Sequence, residues 1–227
     1  MPIAMLLLGV LSFYPGSHKP DTTFLLRETG KDYYHTVYIE KNRQSEAYRH
    51  LINFKMSDDE KIDYLDVCRN LTQKVKHPLA KRHLTGLPSQ WIPIYLYHNR
   101  YYLYHPSEDG NKDRRIITDS TVVYWSMESP YPEVLKLQHH SGNTYVFKTS
   151  HYMQGQPASK LVIHIIDPVN QIAVWEDASQ SGAYHYGLYI SREKARNLDM
   201  IVNYCRQSKA PEFQFDRINY ASLLKRR

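Results

Sequence analysis

Residues 92–105 read IPIYLYHNRYYLYH, which is nearly a palindrome about His98 and Asn99. Residues alternate in type on both sides of this turn-like pair, which predicts two antiparallel strands joined by a two-residue turn. In such a hairpin the residues that face each other across the strands follow directly from the turn. The predicted pairs are Tyr97 with Arg100, Leu96 with Tyr101, and Tyr95 with Tyr102.

Paired residues share a face of a sheet, and neighbours along a strand alternate between faces. One face of the hairpin is therefore a core face, made of Ile92, Ile94, Leu96, Tyr101 and Leu103. The other face, which we call the tyrosine face, consists of Tyr95, Tyr97, Arg100, Tyr102 and Tyr104.

Three interpretations of the tyrosine face are open. In the first, a helix or another strand lies across it, with the hydroxyls reaching past the cover to water. In the second, it is a solvated surface without a role. In the third, it binds a ligand or a protein partner, because Tyr and Arg dominate interface hot spots and contiguous aromatic patches usually have a purpose. The leading functional hypothesis is this non-enzymatic binding, with the rings stacking and Arg100 supplying charge.

The rest of the chain extends the hairpin into a meander. Short alternating runs with turn-like links occupy most of residues 91–190, and short links force antiparallel neighbours. Residues 22–27 and 33–40 form a further predicted hairpin. Residues 161–166 and 172–175 are apolar without alternation, so that hairpin should be buried on both faces, and something must pack outside the sheet. His164, alone within it, is interpreted as a hydrogen-bonded core histidine.

Two helices are predicted. Ser57 and Glu60 form a capping box that opens a helix with the apolar face Ile62, Leu65, Cys68, Leu71 and Val75. Ser191 is predicted to cap a second helix, with the apolar stripe Ala195, Leu198, Ile201, Val202 and Cys205. Cys68 and Cys205, the two cysteines of the chain, fall on these faces. They form a disulfide if the helices pack together in an oxidising compartment, and otherwise remain two buried thiols.

The first 17 residues resemble a secretory signal, because the apolar run MPIAMLLLGVLSF, residues 1–13, has the length of an export h-region and is too short to span a bilayer. No Lys or Arg precedes Lys19, so the basic start of such a signal is missing. The expected organisation is an export segment over residues 1–17, followed by one α+β domain over residues 18–227. The expected location is secreted, periplasmic or cell envelope. If the apolar run belongs to the fold, the location is cytoplasmic.

The composition limits the classes of function. A net charge of +6 permits attraction to anionic partners, but no nucleic-acid motif accompanies it, so specific nucleic-acid binding is not expected. No transmembrane segment is expected in the mature chain. Phosphate loops, dinucleotide fingerprints and nucleophile elbows are absent from the sequence, and no cofactor is predicted. The twelve histidines lack zinc-site spacing, and no metal is predicted.

Two alternatives to binding remain open. The first is a hydrolytic enzyme, whose site would involve His139 or carboxylates gathered at strand ends. The second is a structural envelope protein with no small ligand. Short His-x-Thr/Ser matches at His83 and His139 are the kind used by two-histidine phosphoesterases, although the second runs into a turn. The candidate carboxylates are Glu128, Glu133, Asp167, Glu176 and Asp177.

The predicted fold class is α+β, mainly an antiparallel β meander that forms a barrel or a strongly curved sheet, with two packed helices. The order of a meander followed by a packed helix resembles lipocalin-type barrels in outline. No motif of that family is present to assign roles to residues.

Overall fold

The computed structural model describes residues 22–31, 33–75, 79, 83–107, 113–125, 130–150, 159–178, 184–206 and 210–225. The predicted export segment, residues 1–17, lies outside the described residues. The strands are β1 (Thr22–Thr29), β2 (Tyr34–Glu40), β3 (Gln90–Pro93), β4 (Tyr95–Tyr97), β5 (Arg100–His105), β6 (Arg114–Ile117), β7 (Thr121–Trp125), β8 (Tyr131–Ser141), β9 (Thr144–Ser150), β10 (Ser159–Asp167), β11 (Ile172–Ala178), β12 (Tyr184–Ser191) and β13 (Met200–Cys205). The helices are α1 (Glu46–Leu51), α2 (Asp58–Val75) and α3 (Tyr220–Lys225).

The strands form two sheets, and the predicted antiparallel meander is confirmed. Eight of them close into a barrel in the order β10-β11-β12-β3-β6-β7-β8-β9. The other five form a sheet in the order β1-β2-β13-β5-β4. The first strand of the hairpin predicted over residues 92–105 is divided at Ile94. Its first half, β3, belongs to the barrel, and its second half, β4, belongs to the five-stranded sheet.

The barrel interior is a packed hydrophobic core. One cluster of buried side chains draws members from all eight barrel strands, so it must lie inside the barrel. Its largest members are Trp91, Phe147, Trp175 and Tyr189. The rings of Trp91 and Trp175 meet edge to face with centroids 5.9 Å apart, a favourable geometry for aromatic pairs.

A second core lies between the barrel and the five-stranded sheet. It joins outward-facing barrel residues such as Val174 and Leu188 to Leu103 and Met200 of the sheet and to Tyr48 of α1. The predicted burial of β10 and β11 on both faces is therefore confirmed, since the barrel core lies on one side and this second core on the other. The covering element is mainly a sheet, whereas helices were the expected cover.

The capping box of α2 is confirmed. The backbone nitrogen of Ser57 donates to the Glu60 carboxylate at 2.7 Å, and the Glu60 nitrogen donates to the Ser57 hydroxyl at 3.3 Å. The indole nitrogen of Trp125 also donates to Glu60, at 2.8 Å, which attaches this end of α2 to the barrel. The predicted apolar face packs only in part, because Leu71 is buried whereas Ile62 and Leu65 are 59% and 43% exposed.

The predicted second helix is wrong. Its first part is a short 3-10 turn, Ala195–Asn197, and its second part is strand β13. This strand pairs antiparallel with β2 and parallel with β5, so pairing on both sides overrides the helical spacing of its apolar residues. Residues assigned to one helical stripe therefore face opposite sides of a sheet, with Val202 in the second core and Ile201 on the far face.

The disulfide alternative is also wrong. Neither Cys68 nor Cys205 is part of a disulfide. The disulfide required two helices packed together, but Cys205 ends a strand of the five-stranded sheet, while α2 contacts β8 of the barrel. Among the helices that the structure describes, none combines the length and apolar character needed to cross a membrane.

Candidate functional site

The tyrosine face forms as predicted from the hairpin. His98 and Asn99 adopt positive φ angles of 47° and 59°, which a two-residue hairpin turn requires, and β4 pairs with β5 in the predicted register. The four tyrosines join Val37 and Ile201 on the side of the five-stranded sheet that faces away from the barrel.

The chain's own C-terminal segment covers this face. Phe215 stacks on Tyr95 with ring centroids 4.5 Å apart, and Phe213 meets Tyr97 edge to face at 5.1 Å. The backbone nitrogen of Asp216 donates to the carbonyl of Leu96 at 2.9 Å, so the segment touches the free edge of β4 through a single bridge. We call residues 211–216 the tail segment. A cover was one of the predicted alternatives, but it is an extended segment and not a helix.

Hydrogen bonds fix the tail segment at Tyr104. The Tyr104 hydroxyl donates to the Glu212 carboxylate and accepts from the backbone nitrogen of Phe213 at 3.2 Å. The side-chain nitrogen of Asn203 donates to the same hydroxyl at 3.1 Å and to the Pro211 carbonyl at 3.0 Å. Burial raises the pKa of the Tyr104 hydroxyl, and its bond to Glu212 raises it further. The hydroxyl thus remains a neutral donor at physiological pH.

Two members of the tyrosine face differ from the rest in exposure and partners. The Arg100 side chain is 70% exposed, lies 3.7 Å from Asp199 and stands over the ring of Tyr102 at 5.7 Å. Tyr95 is partly buried beneath Phe215, and burial raises its pKa to about 12. Arg100 is therefore the member that presents charge to solvent, and Tyr95 contributes an uncharged ring.

The candidate carboxylates separate into different environments. Glu133 is paired with Val122 and Asp177 with Leu161 on neighbouring strands, and both partners belong to the barrel core. Paired residues share a face of a sheet, so Glu133 and Asp177 also point into the barrel. Glu176 lies 3.2 Å from His164, which confirms that histidine as hydrogen-bonded. Asp167 bonds to Asn170 within a turn. Glu128 lies outside the described residues.

Inside the barrel, Arg115 organises the carboxylates. Its guanidinium donates to Asp177 at 2.8 Å and lies 3.6 Å from Asp113. Tyr124 also donates to Asp177, at 3.3 Å, and the Tyr189 hydroxyl donates to Asp113 at 2.6 Å. Sequence reasoning missed this arginine, although its position two residues before Ile117 on one strand already placed both on the same face.

Burial raises the pKa of Glu133, and the negative charge of Asp177 raises it further. A hydrogen bond with Thr149 and the positive charge of Arg115 lower this pKa, but the net pKa is raised. Two of the candidate carboxylates therefore share one environment, as the hydrolytic alternative requires. His139 does not join them, since it is exposed on β8, and His83 is exposed as well. No three His, Cys, Asp or Glu side chains of the described part of the chain gather as metal ligands.

The Phe-x-Phe pattern of the tail segment is visible in the sequence, and its apolar weight predicts docking. The surface on which it docks could not be predicted, because no local sequence pattern links residues 211–216 to a hairpin more than 100 residues earlier. Comparisons of this chain with protein-family models, with curated proteins and with solved structures found no match.

Proposed function

We propose that this protein is an exported or envelope-located binding protein whose tyrosine face takes an extended aromatic segment of a partner protein. The observation that carries the proposal is the seating of the tail segment on that face. Phe213 and Phe215, two residues apart, both point toward the tyrosines, as alternate residues of an extended strand do. The face is therefore complementary to a Phe-x-Phe segment in extended form.

The edge strand supports the same mode of binding. β4 ends the five-stranded sheet, and only one bridge, at Leu96, joins it to the tail segment. Free sheet edges recognise extended peptides through main-chain hydrogen bonds, while pockets for alternate side chains give specificity. A partner segment would use the same edge and aromatic sites, and it would have to displace the tail segment.

The partner is expected to be acidic next to its aromatic residues. The Tyr104 hydroxyl donates to Glu212 in the tail segment, and Arg100 stands exposed at the end of the hairpin. Charge complementarity at such a rim chiefly sets the association rate and the selection of partners. The location in this proposal depends on the apolar run within residues 1–17.

The test is a competition between the tail segment and a free peptide. A fluorescent peptide with the sequence PEFQFDRIN, residues 211–219, is titrated into the full chain and into a full-chain variant carrying Phe213→Ala and Phe215→Ala. The variant has a weakened tail segment, so it should bind the peptide at least roughly tenfold more tightly than the wild type does. A peptide with both phenylalanines replaced by alanine serves as the matched control and should not bind.

The proposal fails if the folded variant, checked by circular dichroism, binds the two peptides equally or binds neither. In that case the tail segment is a permanent part of the core. Adding Tyr95→Ala to the variant should abolish peptide binding, since Tyr95 carries the closest ring stack.

A further inference from the structure

A second candidate site lies at the barrel end next to the hairpin. A cavity of about 260 Å³ opens there, lined by residues of the hairpin, β12 and α3 together with Asp113, Arg115 and Asp177. We propose that this cavity, the barrel chamber, binds a small neutral molecule rich in hydroxyl groups, of the size of a monosaccharide. The proposal does not rest on the binding of peptides at the tyrosine face.

Unpartnered donors supply the first argument. The indole nitrogen of Trp175, a fully buried side chain, and the Nε of Arg115 have no hydrogen-bond partner among the described residues. The guanidinium carbon of Arg115 lies 5.1 Å from the centre of the Trp175 ring, so Trp175 packs directly behind a residue that lines the chamber. The other two tryptophans donate to Pro88 at 2.6 Å and to Glu60 at 2.8 Å. Because buried donors are rarely left without an acceptor, the Nε of Arg115, which lines the chamber, calls for a ligand oxygen.

The charges of the barrel chamber exclude an anion as the preferred ligand. Among the described residues that line the chamber, Arg115 is the only one that always carries a positive charge, and it is flanked by two carboxylates. A ligand carboxylate or phosphate would add repulsion from Asp113 and Asp177. A hydroxyl group suits both sides, since it donates to a carboxylate and accepts from a guanidinium nitrogen.

Aromatic rings form the remaining walls. Tyr186 and Tyr220 stack with centroids 5.3 Å apart, and both line the barrel chamber with Tyr95 and Tyr189. Binding sites for small molecules combine such apolar walls with a few well-placed polar groups that fix orientation. The carbon–hydrogen faces of a sugar ring pack on aromatic walls, while its rim of hydroxyls reaches the polar groups.

Gly187 contributes space to the barrel chamber. It lies opposite Trp175 in the pairing of β11 with β12. A Cβ built at Gly187 would lie 2.5 Å from the Tyr189 ring, so no side chain fits there without moving that ring. Because Gly187 has no side chain, the Tyr189 ring can lie across β12, where its hydroxyl donates to Asp113.

The test follows the three indole N–H signals in proton–nitrogen correlation spectra of the full chain. Neutral monosaccharides and inositol are titrated, with a sugar phosphate and a sugar acid as charged comparators. We expect the Trp175 signal to shift with a neutral sugar while the signals of Trp91 and Trp125 stay in place. Tyr186→Ala removes a ring from the wall of the chamber, and it should weaken sugar binding by roughly threefold to tenfold. Tyr204→Ala is the matched control, because Tyr204 is similarly exposed but does not line the chamber, and it should leave the affinity unchanged.

Three outcomes would overturn the proposal. The Trp175 signal could stay fixed with every neutral sugar, the charged comparators could bind more tightly than neutral sugars, or Tyr186→Ala could bind as well as the wild type. Tyr186 is 40% exposed, so the variant should fold with little loss of core.

Discussion

The Nε2 atom of His35 lies 2.8 Å from Oδ1 of Asn203, a residue 168 positions further along the chain. Because the Asn203 nitrogen donates elsewhere, its oxygen must accept, and Nε2 of His35 carries a proton. Nδ1 of the same ring faces the Glu28 carboxylate at 3.1 Å, which also accepts. Both imidazole nitrogens therefore face acceptors, an arrangement that favours the imidazolium form of His35 and links β1 to the residue that fixes the tail segment.

This arrangement predicts a pH-dependent contribution to stability. Burial by itself lowers the pKa of His35. The hydrogen bonds to Glu28 and Asn203 raise this pKa, as do the negative charges of Glu28 and Cys205. Together these effects outweigh burial, so the net pKa is raised. The contribution is complete below about pH 6.5, the unfolded value, and it is lost as the pH rises through the folded pKa. Urea unfolding should therefore show a larger penalty for His35→Gln at about pH 5.5 than at about pH 9. His139→Gln, an exposed change, should show no such difference, and a His35 pKa at or below its ordinary value by NMR would contradict the assignment.

The Tyr104 hydroxyl should contribute far more to the free energy of unfolding than the hydroxyl of Tyr102 does. Tyr104→Phe removes the acceptor of Asn203 and of the Phe213 nitrogen and leaves buried polar groups unpaired, at a cost of about 2 kcal/mol. Tyr102→Phe is the matched control, because Tyr102 is buried on the same face but its hydroxyl makes no bond within the described residues. Urea unfolding measures both changes, and hydrogen exchange at residues 211–216 should accelerate in the first variant alone. Equal costs for the two variants would show that the network does not hold the tail segment.

The cap of α2 predicts a further effect. Ser57→Ala removes the hydroxyl that accepts from the Glu60 nitrogen, and the free energy of unfolding should fall by about 1 kcal/mol. Ser57→Asp keeps an acceptor at the cap and should restore most of the loss. Thermal unfolding followed by circular dichroism distinguishes the two. If Ser57→Asp is as unstable as Ser57→Ala, the capping hydroxyl is not the stabilising group.

Neither cysteine should form a disulfide in the folded protein. Cys68 lies on α2 and Cys205 ends β13, and neither is bridged. Alkylation in denaturant without a reducing agent should add two labels by mass, and prior reduction should not change that number. Labels that appear only after reduction would show a disulfide and would require α2 to lie against the five-stranded sheet.

Gly187→Ala should disturb the wall of the barrel chamber. The added methyl would meet the Tyr189 ring, so the ring must move and its bond to Asp113 should weaken. Such crowding in a packed core typically costs about 1–3 kcal/mol. Gly30→Ala is the control, since the nearest atom to its added Cβ would be 3.6 Å away. Equal stability of Gly187→Ala and the wild type would mean that the Tyr189 ring moves aside freely.

Local signals in the sequence predicted the elements whose structure depends on near neighbours. The turn at His98 and Asn99 sets the register of β4 and β5, and the capping box sets the start of α2. The prediction of a second helix was wrong because the spacing of Ile201, Val202 and Cys205 is compatible with a helix as well as with a strand. Only pairing with β2 and β5, more than 90 residues away, makes that segment a strand.

The candidate site shows the same division. Alternation along the hairpin identified the tyrosine face, and the position of Glu133 and Asp177 at strand ends anticipated that a barrel could bring two carboxylates together. Arg115 was missed because a charged residue within a short strand is ordinarily solvent-facing. Its place inside the barrel follows from closure of the sheet, which no local pattern specifies.

Strand β13 also limits when the chain can fold. It lies between β2 and β5, so a nascent chain that has not reached Cys205 leaves both of those strands with an unpaired edge. Unpaired edges of this kind are the usual starting points of aggregation. Since the barrel closes late as well, through β12 with β3, productive folding must wait for most of synthesis, and we expect the growing chain to depend on chaperones that shield strand edges.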